Sequence, residues 1–171
     1  MGRCVGILTA GGDSPGINAA IRAVGRALER ENIHLLGFHD GFDGIAYDKC
    51  DYLTKDTYSG ILTKGGTFLG TSRNKPQKMP VGKKLIDMTD AIVDTYKRRK
   101  LEGLICIGGG GTHKSALHLL ESGLNVITMP KTIDNDLAGT DTSIGYDTAI
   151  GIATQAVDSL HSTASSHKRI M

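Results

Sequence analysis

Asp134 and Asp136 stand two residues apart in Pro130-Lys131-Thr132-Ile133-Asp134-Asn135-Asp136, with the Thr132 hydroxyl just before them. Carboxylates this close repel unless a cation or a proton lies between them. A magnesium-bound phosphate brings such a cation and leaves one acid free to act as a base. A solvated acidic turn is the plain alternative, since Asp and Asn favour loops. Three further segments suit phosphate. Thr9-Ala10-Gly11-Gly12-Asp13-Ser14-Pro15-Gly16-Ile17-Asn18 leaves an apolar run and opens a helical pattern. Its paired glycines permit close backbone approach, and a helix start offers free N–H donors. It is neither a P-loop nor a GxGxxG fingerprint. A tight turn with Ser14 as N-cap and Pro15 at the first helical position would also explain it. Gly65 to Arg73 ends a glycine turn on one arginine, which is permanently charged and can bridge phosphate oxygens. A surface arginine is the ordinary alternative there. Ile107-Gly108-Gly109-Gly110-Gly111-Thr112 puts more glycines before a helix than a cap requires, which points to a second anion-accepting terminus.

Strands and helices must alternate to present these loops. Arg3 to Thr9, Ile33 to Phe38, Gly103 to Ile107 and Asn125 to Met129 read as strands. Val126 to Met129 reads as buried, with Pro130 ending the run. Ile17, Ala20, Ile21, Val24, Ala27 and Leu28 recur at helical spacing. So do Val81, Leu85, Met88, Ile92 and Tyr96, residues 112–122, and Ala149, Ile152, Ala153, Ala156 and Leu160. His39 to Gly44 reads as a loop, and residues 45–75 are less regular. The expected fold is α/β: a Rossmann-like three-layer sandwich, with a mostly parallel sheet and helices on both faces. Loops leaving strand ends then share one rim of the sheet, where ligands of open α/β folds bind.

At 171 residues one domain is expected. The 23 glycines cluster beside strands and helices, which argues for backbone–ligand contact rather than a flexible linker. A net charge of +2 favours no particular partner. Lys97 to Lys100 is the only basic run and reads as cations at a helix C-terminus, not as a nucleic-acid patch. Cys4, Cys50 and Cys106 are scattered, without zinc or disulfide spacing, which fits a reducing cytoplasm. No apolar stretch is long enough to cross a bilayer, so no membrane role is expected. Arg169-Ile170-Met171 reads as the entrance to another strand, and the chain is expected to be a fragment of a longer protein.

Taken together, GGDSPGIN, GGTFLGTSR, GGGGT and PKTIDND resemble the phosphofructokinases that make fructose 1,6-bisphosphate. The resemblance runs in order along the whole chain and covers about the amino-terminal half of a family subunit. It implies a donor-binding domain over 1–171, with the second, sugar-phosphate half absent. It implies a glycolytic, cytoplasmic kinase that takes ATP and magnesium, usually as an allosteric homotetramer. By the same resemblance Asp134 is the base for the sugar 1-hydroxyl, Thr132 contacts sugar and transferring phosphoryl, and Asp136 is the acid associated with magnesium. Ile133 lies between them on the substrate side. Gly12 meets the nucleotide phosphates, Arg73 spans the phosphoryl groups, and Phe42 and Asn74 line the nucleotide. Gly109, Gly110, Gly111 and Thr112 form the phosphate loop. Arg169 grips the sugar 6-phosphate in a neighbouring subunit. Arg22, Arg26 and His161 fall on an effector site, although a solvated helix face explains the two arginines as well.

Three departures matter. The family's glycine loop usually carries an aspartate that helps hold magnesium, where this chain has Gly110. Lys131 resembles the pyrophosphate-dependent branch, whereas Gly111 matches the ATP branch; the pair is read as ATP-dependent. The chain also stops before the family's remaining sugar-phosphate ligands. The alternatives are a pyrophosphate-dependent enzyme and a non-catalytic nucleotide-binding fragment.

Overall fold

The computed structural model describes residues 2–170; Met1 and Met171, at the ends of the expected domain and of the expected terminal strand, lie outside the described residues. A five-stranded sheet forms the centre. Its strands are β1 (Cys4–Ala10), β2 (His34–Phe38), β3 (Cys50–Leu53), β6 (Gly103–Gly108) and β7 (Val126–Pro130), in the order β3-β2-β1-β6-β7. All neighbours run parallel except β3, which pairs antiparallel with β2. A separate hairpin joins β4 (Met79–Val81) and β5 (Lys84–Ile86). The helices are α1 (Ile17–Arg30), α2 (Phe42–Ala46), α3 (Thr89–Arg98), α4 (Gly110–Glu121) and α5 (Tyr146–His167).

Successive strand side chains point to opposite faces, and two cores follow from that alternation. Ile7, Leu35 and Ile107 pack on one face with Ile17 and Ile21 of α1. Leu8, Leu36 and Cys106 pack on the other with Phe42, Ile45, Ile92 and Leu119 from α2, α3 and α4. These are the three layers expected of the sequence, and Cys4 and Cys106 are buried hydrophobes within them.

Several elements differ from expectation. The helix expected from Val81 begins only at Thr89. Gly82, at φ 62°, turns the chain between β4 and β5 first, as a left-handed glycine does in a two-residue hairpin. The loop at His39 to Gly44 contains the start of α2. β3 arises inside the irregular stretch. Ser14 does not cap α1: the cap is Gly16, and Ser14 lies buried with its hydroxyl on the Pro15 carbonyl. β7 is an edge strand among the described residues, and Ile127 is 61% exposed rather than buried. No residue of α5 is buried, so its apolar spacing finds no core among the described residues. The basic run closes α3, where Arg98 and Arg99 both pair with Asp48.

Candidate functional site

The chain winds outward from the middle of the sheet in both directions. β1 leads to β2 on one side, and β6 leads to β7 on the other, so the crevice between the carboxyl ends of β1 and β6 is the topological switch point. Ala10 ends β1 opposite Gly108, which ends β6. Both strands run directly into glycine loops.

The glycine at 108 is a steric requirement. A Cβ there would lie 2.2 Å from Thr112 Oγ1 and 2.7 Å from the Ala10 carbonyl oxygen. That close approach lets Thr112 Oγ1 donate to the Ala10 carbonyl at 3.2 Å, fastening the first turn of α4 to the end of β1. The segment carrying Arg73 is fastened to the same place. Gly11 N–H donates to the Ser72 carbonyl at 2.8 Å, and Thr71 Oγ1 donates to the Gly11 carbonyl at 2.7 Å. From the other side the Asp43 carboxylate accepts from Asn74 Nδ2 at 3.0 Å and from the Ser72 hydroxyl. Arg73 itself is exposed to the crevice, with Nη2 3.8 Å from where a Cβ on Gly12 would stand.

The acidic segment enters along β7. Lys131 N–H donates to the Gly108 carbonyl at 2.9 Å, and Thr132 N–H to that of Ile144 at 3.2 Å. Asn135, at φ 51°, holds the loop shut by accepting from Ser143 N–H and donating to the Asp141 carbonyl. Within it, Asp134 N–H donates to Thr132 Oγ1 at 3.1 Å, so the hydroxyl and the acid form one turn. Asp134 and Asp136 are both exposed to solvent. Lys131 is the opposite case. It is buried, and its ammonium donates to the Gly12 carbonyl, bridging the acidic segment to the first glycine loop. Burial pushes its pKa below the ordinary lysine value; Asp13 and Asp134 nearby oppose that push, and Arg73 adds to it.

These segments line one open cavity of about 580 Å3. Of the residues singled out in sequence, Gly12, Phe42, Arg73, Asn74, Gly109, Gly110, Gly111, Thr112, Lys131, Thr132, Ile133, Asp134 and Asp136 all border it. Arg169, Arg22, Arg26 and His161 do not. Arg169 is exposed just beyond α5. Arg22 donates to the Tyr58 carbonyl at 2.9 Å, which ties α1 to the loop after β3. Arg26 and His161 are exposed, and among the described residues no hydrogen bond or ion pair joins His161 to either arginine. Asp13, Lys75 and Ser115 also border the cavity but were not candidates. Ser115 was within reach of sequence reasoning, because it lies three residues beyond Thr112 on the same helix face.

The arrangement suits a phosphorylated ligand. The free N–H groups at the start of α4 can donate to anionic oxygens, Arg73 can grip them, and Asp134 borders the same cavity, joined in one turn with the Thr132 hydroxyl. Among the described residues no group of three or more metal-binding side chains forms a cage. Asp13, Asp134 and Asp136 on the cavity wall instead suit magnesium that arrives on phosphate and is held by one or two carboxylates.

Glycine loops at a switch point, with an arginine and a carboxylate bordering the same cavity, define an α/β domain whose crevice suits phosphoryl groups. The phosphofructokinase family model matches residues 4–171, and the chain belongs to that family. An ATP-dependent 6-phosphofructokinase from Propionibacterium freudenreichii is 55% identical over 100% of this chain and 46% of its own length. An ATP-dependent 6-phosphofructokinase 3 from Bacteroides thetaiotaomicron is 47% identical over 98% of the chain and 50% of its own length. A solved phosphofructokinase structure from Saccharomyces cerevisiae matches with a TM-score of 0.84 at 26% identity, over 98% of this chain and 25% of that one. The chain thus spans about half the length of the curated relatives it matches.

Proposed function

We propose that this chain, residues 1–171, is the donor-binding half of a 6-phosphofructokinase that transfers a phosphoryl group from Mg-ATP to the 1-hydroxyl of fructose 6-phosphate. The observation that carries the reading is the meeting of Asp134, Arg73 and the amino end of α4 in one cavity at the switch point. Asp134 positions the sugar hydroxyl and accepts its proton, with Thr132 beside it. Arg73 and the backbone N–H groups of Gly109 to Gly111 spread the charge of the transferring group. Asp136 would hold magnesium arriving with the donor, and the ion would supply charge neutralisation there. Phe42 and Asn74 flank the nucleotide. Arg169 serves the sugar 6-phosphate of a neighbouring subunit, and Arg22, Arg26 and His161 serve an effector. The full-length protein is a glycolytic, allosteric enzyme of the cytoplasm, assembled as a homotetramer. The names of the Propionibacterium and Bacteroides relatives support ATP as the donor.

The test is turnover of the complete subunit with Asp134→Asn. Proton removal by a placed base contributes roughly 10²–10⁴-fold, so kcat should fall by that order with little change in the KM for ATP. Wild-type turnover in this variant would falsify the assignment of the base. Gly110 is a second point of attack. A Cβ at 110 meets only Leu137 Cδ2, at an ordinary 3.5 Å, so a side chain can start there without a clash. Gly110→Asp should lower the magnesium needed for half-maximal rate by up to about 10–100-fold.

Lys131 motivates a second reading, with pyrophosphate as donor, because its ammonium lies on the cavity wall. Turnover with each donor at saturating magnesium separates the two. If Lys131→Gly leaves the ratio of ATP to pyrophosphate turnover unchanged, lysine does not select the donor.

A further inference from the structure

We propose that Asp43 is a positioning residue, which sets the aim of Arg73 by holding the side chains on either side of it. The inference rests on the reading of Arg73 given above and deepens it. Asp43 does not border the cavity; Ser72, Arg73 and Asn74 all do. Its carboxylate receives Asn74 Nδ2 on both oxygens, at 3.0 and 3.1 Å, and the Ser72 hydroxyl on Oδ2. Residues 72 and 74 are therefore held on one half-buried anion, and the residue between them carries the guanidinium.

The anchor itself is fixed. Asp43 lies in the first turn of α2, between Phe42 and Gly44. Phe42 and Ile45 are fully buried in the core on that face of the sheet. Gly44 admits no side chain, since a Cβ there would stand 2.0 Å from the His39 carbonyl oxygen. Opposite, the Ser72 carbonyl accepts from Gly11 N–H and the Thr71 hydroxyl donates to the Gly11 carbonyl. The segment is thus gripped through its main chain by the first glycine loop and through its side chains by Asp43. Arginine has many rotatable bonds, and ordering it at the moment of transfer costs entropy. A segment held on both flanks meets part of that cost in advance, which is how positioning accelerates a step without touching the reacting atoms.

The test is a double-mutant cycle on the complete subunit, reading kcat and KM separately. Asp43→Leu removes all three acceptor contacts and should lower kcat by about 10–100-fold, the scale of a small misplacement of a catalytic group. Asp43→Asn retains one acceptor oxygen and should fall between the two. Arg73→Ala should lower kcat further still. Adding Asp43→Leu to Arg73→Ala should then change kcat less than threefold, because a residue acting through Arg73 has nothing left to aim. Equal losses in the presence and absence of Arg73 would overturn the proposal and leave the role of Arg73 standing. A wild-type rate in Arg73→Ala alone would overturn both. If Asp43→Leu fails to fold, the cycle is run with Asp43→Asn, and full additivity there overturns the proposal in the same way.

Discussion

The crevice between β1 and β6 and the outer elements of the chain, the edge strand β7 and the helix α5, are built differently. At the crevice every loop is tied to a strand end or to another loop: Thr112 to Ala10, Ser72 to Gly11, Lys131 to Gly108. The strands beneath are buried on both faces. On the outer flank Ile127, Ile150, Ile152, Val157 and Leu160 are exposed, and α5 buries nothing. The cavity side thus rests on a closed core. Asp134 and Asp136 project from the seam where that core gives way to open surface. The difference teaches that the cavity geometry is carried by the fold of this chain, whereas apolar side chains of α5 contribute little to holding it.

Substitutions on the two sides measure that contrast. Leu104 lies fully buried near the start of β6, and Leu104→Ala should cost about 2–5 kcal/mol in urea unfolding. Gly108→Ala forces a methyl between Thr112 and Ala10 and should cost about 1–3 kcal/mol; a neutral result would mean the crevice is looser than its contacts indicate. Asp48→Asn should cost about 1 kcal/mol near neutral pH, with a defined pH dependence. The Arg99 guanidinium holds the Asp48 carboxyl below its ordinary value of 3.8. The stability from this pair is therefore complete above that value and is lost as pH falls through the lower folded value. The gap between wild type and variant should close in acid; a constant gap would assign the effect to packing. Leu160→Ala should change stability by less than about 0.5 kcal/mol, and a core-sized loss there would erase the contrast between the two regions.

Much of this was legible in the sequence because two periodicities are strong. The strands β1, β2, β6 and β7 alternate with helices α1, α4 and α5, and the loops that line the cavity follow strand ends, so the expected rim and the observed one coincide. β3 was hidden because Cys50 to Leu53 is short, exposed along much of its length and set within an irregular stretch. The helix read from Val81 failed because Val81 and Leu85 belong to a hairpin turned at Gly82, where backbone geometry overrides a chance helical spacing. α5 shows the converse error. Its spacing gave the helix correctly, but periodicity says only that an apolar stripe exists, not what lies against it. Asp43 went unread as a contributor because its partners are 29 and 31 residues further on, and no local pattern announces such a contact.

The pairing of β1 with β6 joins segments about a hundred residues apart, and the crevice exists only where those strands meet. No early hairpin or isolated βαβ unit can supply it, because closing so long a loop costs entropy that only the assembled sheet returns. Capture of a phosphorylated ligand should therefore report completion of the whole central sheet. On the function proposed above, nucleotide affinity would serve as a gauge of global folding rather than of local loop order.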